Sequence, residues 1–144
     1  MEKKRILVVD DHRDTADSLV DALSVSGYQA LAAYDGASAI NLARSFKPQV
    51  ALLDIGMPVM DGYELGRRLQ GHPDTATIHL IAFTGYSEEV QRRNTEAGSK
   101  SGFKEYLVKP VDLGQVVGAI RRMLGEETMQ EEVPSRPAEK RRRS

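Results

Sequence analysis

Four apolar residues in succession, Val50-Ala51-Leu52-Leu53, run directly into Asp54 and on into Ile55-Gly56-Met57-Pro58. An unbroken apolar run of this kind reads as a β-strand buried on both faces, the pattern of a parallel sheet covered by helices on each side. A carboxylate at the end of such a strand demands a partner, because an unpaired charge is costly to desolvate. The candidate partners stand at the ends of other apolar runs. Asp10 and Asp11 follow Ile6-Leu7-Val8-Val9, Thr84 follows Leu80-Ile81-Ala82-Phe83, and Lys109 follows Tyr106-Leu107-Val108. If these strands are parallel neighbours, three acids, a hydroxyl and an ammonium converge on one site.

Strand-like and helix-like periods alternate along the chain. Asp14–Ser26 carries Ala16, Leu19, Val20 and Leu23 at helical spacing, and Gly27 stops it. Gln29–Ala33 reads as an Ala-rich strand. Asp35 caps a short helix through Ser45 with Ala37, Ile40 and Ala43 facing inward, until Lys47-Pro48 ends it. After the Val50–Leu53 strand, Asp61 caps a helix through Gln70 that carries Leu65 and Leu69 inward. Ile78–Phe83 is the fourth strand. Ser87 caps a helix, Glu88–Ala97, with almost no apolar stripe, which predicts a loosely held element. Gly98–Gly102 reads as a polar loop, Phe103–Val108 as the fifth strand, and Asp112–Leu124 as a helix aligning Leu113, Val116, Val117, Ile120 and Leu124. Five strand–helix pairs in this order predict an α/β domain with a doubly wound parallel sheet.

A chain of 144 residues has room for one domain with a proper core. The domain is expected over residues 1–125, with 126–144 a disordered, charge-segregated tail in which five acids balance five bases and the run Lys140-Arg141-Arg142-Arg143 comes near the end. A formal net charge of −1 gives no bulk electrostatic case for nucleic acid or an anionic membrane. The absence of cysteine excludes disulfides, thiolate catalysis and Cys-based metal sites. The basic Met1–Arg5 start precedes only four apolar residues, too few for a signal sequence or a membrane span, so a cytoplasmic location is expected.

In open parallel sheets, ligands bind beyond the carboxyl ends of the strands where strand order reverses. An order of 2-1-3-4-5 would flank that point with Asp10/Asp11 and Asp54 and bring Thr84 and Lys109 to the same rim. Clustered carboxylates without thiolates form a hard oxygen site suited to Mg²⁺ or Mn²⁺. A neighbouring lysine and hydroxyl would complete a cradle for phosphoryl oxygens.

Asp10-Asp11, Asp54 followed by Met57-Pro58, Thr84-Gly85 and Lys109-Pro110 together resemble the response-regulator receiver domains of two-component signalling, over roughly residues 5–125. The resemblance implies a flavodoxin-like (βα)5 fold and a phosphoacceptor switch rather than an enzyme. Asp54 would take a phosphoryl group from a phosphohistidine on a sensor histidine kinase or a histidine phosphotransfer protein. Asp11, Asp54 and the Gly56 backbone carbonyl would ligate Mg²⁺, with Asp10 acting largely through water. Lys109 would neutralise phosphoryl charge, Thr84 would hydrogen-bond a phosphoryl oxygen, Tyr106 would be the rotameric switch, and Lys109–Pro110 would be cis. The output protein is not readable from the sequence, and since family members often dimerise, a homodimer is open. With no second folded domain after residue 125, no DNA-binding module is expected. The chain is then either a stand-alone regulator, which the initial methionine favours, or a receiver cut from a longer protein such as a hybrid kinase.

Three features depart from the family pattern. Gly56 and Tyr86 stand at positions that tune hydrolysis, and neither has an acid or amide to orient a water, so slow autodephosphorylation is expected. The loop Ala97–Phe103 is about three residues longer than is usual in the family. The runner-up function is a Mg²⁺-dependent phosphohydrolase with an aspartyl nucleophile, but that family wants Asp-x-Asp where this chain has Asp10-Asp11-His12. A flavin binder would want a Gly-rich loop after the first strand, which is missing. A dead interaction module would want an incomplete acid set, and this one is complete.

Overall fold

A computed structural model describes residues 2–85 and 101–126. Five strands, β1 (Arg5–Val9), β2 (Gln29–Ala33), β3 (Val50–Asp54), β4 (His79–Thr84) and β5 (Phe103–Val108), form one parallel sheet in the order β2-β1-β3-β4-β5. The described helices are α1 (Arg13–Val25), α2 (Gly36–Phe46), α3 (Gly62–Gln70) and α4 (Leu113–Met123). This is the expected doubly wound α/β architecture. The helix expected at Glu88–Ala97 with its Ser87 cap, Tyr86, and the tail beyond Glu126 lie outside the described residues.

The strands sort their side chains by parity, because alternate residues of a strand point to opposite faces. Leu7, Val9, Ala51, Leu53, Leu80 and Ala82 face α2 and α3. Ile6, Val8, Val50, Leu52, Ile81 and Phe83 face α1 and α4. All five residues of β3 are buried, which explains why its sequence shows no polar alternation. Fully burying residues of this size contributes about 1.5–3 kcal/mol each, so the two-faced core is the main source of stability.

Two helices start where the sequence places their caps, and a third is capped by Asp112, the residue at which its expected range opens. The side chains of Asp35, Asp61 and Asp112 accept hydrogen bonds from the backbone N–H groups of Ser38, Glu64 and Gln115. Asp112 and Gln115 complete a capping box. An Arg122–Glu105 pair, with nitrogen–oxygen distances of 2.7 and 2.8 Å, ties α4 to β5.

Three expectations need correction. Ala37 is exposed, and Ala39 is fully buried in its stead, alongside the expected Ala43. The helix begins at Gly36, and its inner face runs 36, 39, 43. Leu113 is 38% exposed at the first turn of α4, where the inward face is made by Val116, Ala119 and Ile120 instead. Ser101 belongs to no polar loop: its backbone is helical, it is fully buried, and its hydroxyl donates to the Tyr63 carbonyl at 2.8 Å. Composition marked Ser101 as solvated, whereas its contact with α3 decides otherwise.

Close backbone approaches explain two glycines. A Cβ on Gly62 would lie 2.6 Å from the Asp54 carbonyl oxygen and 2.8 Å from Ile55 Cα. A Cβ on Gly66 would lie 2.8 Å from the Ser101 carbonyl oxygen. The first residue of α3 therefore sits directly on the end of β3. Gly118, inside α4, would meet only Arg122 Nη1 at 3.5 Å. Chemical denaturation should show Gly62→Ala destabilising by about 1–3 kcal/mol, in the range of overpacking. Gly118→Ala should instead stabilise by about 0.5–1 kcal/mol, the helix-propensity difference.

Candidate functional site

Strand order reverses between β1 and β3, and the acids stand at that point. Asp10 leaves β1 fully buried, Asp11 follows it exposed, and Asp54 closes β3 at 7% exposure. One carboxylate oxygen from each of the three lies within 4.8 Å of the others. Lys109 arrives from the end of β5 with its Nζ 2.9 Å from Asp10 Oδ2 and 3.4 Å from Asp54 Oδ1. Its backbone N–H donates to the Thr84 carbonyl at 2.8 Å, which clamps the end of β5 to the end of β4. The Lys109–Pro110 bond is cis.

Backbone donors hold the acids in place. The His12 N–H donates to Asp10 Oδ1 at 2.9 Å, and the Gly56 N–H donates to Asp54 Oδ1 at 3.3 Å. The Ile55 N–H donates to the Phe83 carbonyl and the Gly62 N–H to the Ile55 carbonyl, so the segment after Asp54 is bound at both ends. Within that segment the Met60 N–H closes a three-residue turn onto the Pro58 carbonyl at 2.7 Å, and the central Val59 has φ 68°. A β-branched residue in that region is strained, and Val59 is fully exposed beside the acids.

Of the expected site residues, Asp10, Asp11, Asp54 and Lys109 come together by measured distance. Thr84 is buried at the end of β4, beside Lys109 in backbone contact. Gly56 is exposed in the loop after β3. Tyr106 is not at the acids. It lies half-buried on the opposite face of the sheet, packed edge-on against Phe103 at 5.9 Å, and Phe103 in turn meets Tyr63 of α3 at 6.1 Å. His12 is exposed, with Nδ1 2.7 Å from the Thr15 hydroxyl, and contributes only its backbone to the acids. Sequence reasoning missed Gly62 and Phe83. The Met60-Asp61-Gly62 succession hinted at the first, and nothing local marked the second.

The electrostatics follow from crowding. Burial first, and then the charge of Asp10, raise the Asp54 carboxyl to about 6, with Lys109 and the Gly56 N–H only partly opposing them. Burial also pulls the Lys109 ammonium down, but hydrogen bonds and charge from Asp10 and Asp54 outweigh that and leave it raised. The donors are all oxygens of carboxylates at short separation, so the site fits a hard divalent cation.

The fold and rim define a class: a doubly wound α/β protein with a lysine-backed acid cluster at its topological switch point. Residues 6–121 match the family described as response regulator receiver domain, and the chain belongs to that family, within two-component signalling. It is 38% identical to response regulator MprA of Mycobacterium tuberculosis over 121 residues, which are 83% of this chain and 50% of that protein. It is 37% identical over 117 residues to an uncharacterised 14.6 kDa protein of Leptolyngbya boryana, covering 81% of this chain and 87% of that one. The chain thus spans about half the length of its MprA relatives. Among solved structures, the response regulator receiver domain protein (CheY-like) of Methanospirillum hungatei JF-1 superposes with a TM-score of 0.78 at 27% identity, covering 90% of this chain and 99% of that one. Chemotaxis protein CheY4 of Vibrio cholerae gives 0.79 at 23% identity, covering 85% and 99%, and shares the fold. Among the described residues no helix is long and apolar enough to cross a membrane.

The Asp54 shift fixes the sign of a pH effect. A folded-state value above the unfolded value near 3.9 means that the folded protein holds the proton more tightly between the two. The stability this contributes is complete below about pH 4 and is lost as pH rises through about 6. In cation-free buffer, Asp54→Asn should therefore unfold at a higher temperature than wild type above pH 6. The gap should close toward pH 4, as read by differential scanning calorimetry. A gap independent of pH would show that Asp54 carries no such burden.

Proposed function

We propose that Asp54 is the phosphoacceptor of this receiver domain, taking a phosphoryl group from a phosphohistidine on a sensor histidine kinase or a histidine phosphotransfer protein. The observation that supports it most is the Asp54 carboxylate at the carboxyl end of a fully buried strand, with oxygens of Asp10 and Asp11 within 4.8 Å and Lys109 Nζ at 3.4 Å. An Asp54 oxygen attacks phosphorus in line. The new P–O bond forms as the P–N bond breaks, and the electron pair stays on the departing imidazole, which takes up a proton from solvent. Lys109 draws toward the developing negative charge of the phosphoryl oxygens, and the Thr84 hydroxyl donates to one of them.

Asp10, Asp11, Asp54 and the Gly56 backbone carbonyl would hold Mg²⁺ or Mn²⁺. When bound, the cation supplies charge neutralisation for the carboxylates and the phosphoryl oxygens together. The chain acts as a cytoplasmic switch rather than a turnover enzyme, with residues 1–125 as its receiver unit. Tyr106 reports the phosphorylated state to an output protein or a second copy of the chain.

Intact mass after incubation with acetyl phosphate and Mg²⁺ tests the reading. Wild type should gain about 80 Da, the mass of one phosphoryl group. The gain should vanish with EDTA and in Asp54→Ala. A gain that survives Asp54→Ala would overturn the assignment.

A further inference from the structure

Among the described residues Phe83 is the largest fully buried side chain, and it stands one residue before Thr84. In the sheet register it pairs with Asp54 on one side and Leu107 on the other. By strand parity its ring belongs to the face covered by α1 and α4. The Lys109 ammonium lies 5.3 Å from the centre of that ring.

Lys109 has freedom to lose. Its side chain is 28% exposed and borders a cavity of about 670 Å³, lined also by Phe83 itself, Thr15, Leu19, Pro110 and Leu113. A four-carbon stem beside such a space has many rotamers that point the ammonium away from the acids. Asp10 and Asp54 attract it, but Asp54 is the group that the proposed reaction converts from carboxylate to acyl phosphate. Its pull on the lysine therefore changes during the reaction. The negative face of an aromatic ring does not change, and it attracts an ammonium within about 6 Å of its centroid.

We propose that Phe83 is a positioning residue for phosphoryl transfer: its ring face holds the Lys109 ammonium over the acid cluster. The proposal rests on Lys109 acting at the Asp54 phosphoryl group. It sets aside the simpler role of Phe83 as core packing, which predicts dependence on ring volume. Positioning by the ring predicts dependence on ring electrostatics at constant volume.

Site-specific incorporation of 4-fluoro-, 3,5-difluoro- and 3,4,5-trifluorophenylalanine at position 83 of the full chain separates the two. Each fluorine drains the negative face while the shape is nearly kept. The rate constant for phosphorylation by acetyl phosphate should fall stepwise, roughly three- to tenfold across the series, with the melting temperature nearly unchanged. Phe83→Leu, which removes the ring altogether, should fall to or below the bottom of the series in rate and should also lose stability.

A second readout does not require phosphorylation. With ¹³Cε-labelled lysine in unphosphorylated protein, the order parameter at Lys109 should decline in the same sequence as the rate. Rates and order that stay flat across the series, or that follow melting temperature alone, overturn the proposal. If wild type gains no phosphoryl group the Asp54 reading fails, while Lys109 order still decides whether the ring holds the ammonium.

Discussion

The structure depends on crowding like charges where the sheet meets solvent. Asp10 is fully buried and Asp54 nearly so, and their carboxylates share one lysine. Desolvation and mutual repulsion raise the cost of ionising Asp54, and a single ammonium only partly offsets them. Such a site is poorly balanced alone and well balanced with added positive charge. That imbalance is the physical ground on which the proposed cation binding and charge change at Asp54 would act.

The fold makes this arrangement tolerable by confining it to the rim. The sheet is covered on both faces, so a charged side chain along a central strand would have no route to water. The carboxyl ends of β1, β3 and β5 offer that route and also supply free backbone donors. The N–H groups of His12 and Gly56 take up acid oxygens there. The α3 helix seals the far side of β3, and Gly62 lets its first residue lie against the Asp54 backbone. Strain is kept close to the same place, in the turn at Val59.

The two sheet faces divide the labour. On the α1–α4 face, Phe83 and Lys109 sit beside the acids. On the α2–α3 face, Tyr106, Phe103 and Tyr63 form a run of edge-on aromatic contacts from β5 to α3. Ser101 and Gly66 bring the start of β5 onto the same helix. Tyr106 thus reaches α3 through Phe103 and Tyr63.

Much of this was legible in the chain itself. Apolar runs fixed the strands, three aspartates fixed helix starts, and the acids, Thr84 and Lys109 each announced themselves by ending a run. These signals are local: strand and helix periods, caps and strand ends are all written over a few residues. What the sequence could not show depends on contacts between distant segments. Lys109 and Asp10 are 99 positions apart. The choice of Ala39 over Ala37, the burial of Ser101, the seat of Gly62 on Asp54 and the ring of Phe83 under Lys109 were decided when helices docked on a finished sheet. The sequence by itself determined which groups would reach the rim. Only the tertiary structure decided how closely they meet, because distance and desolvation, rather than residue type, set the energy of a charge.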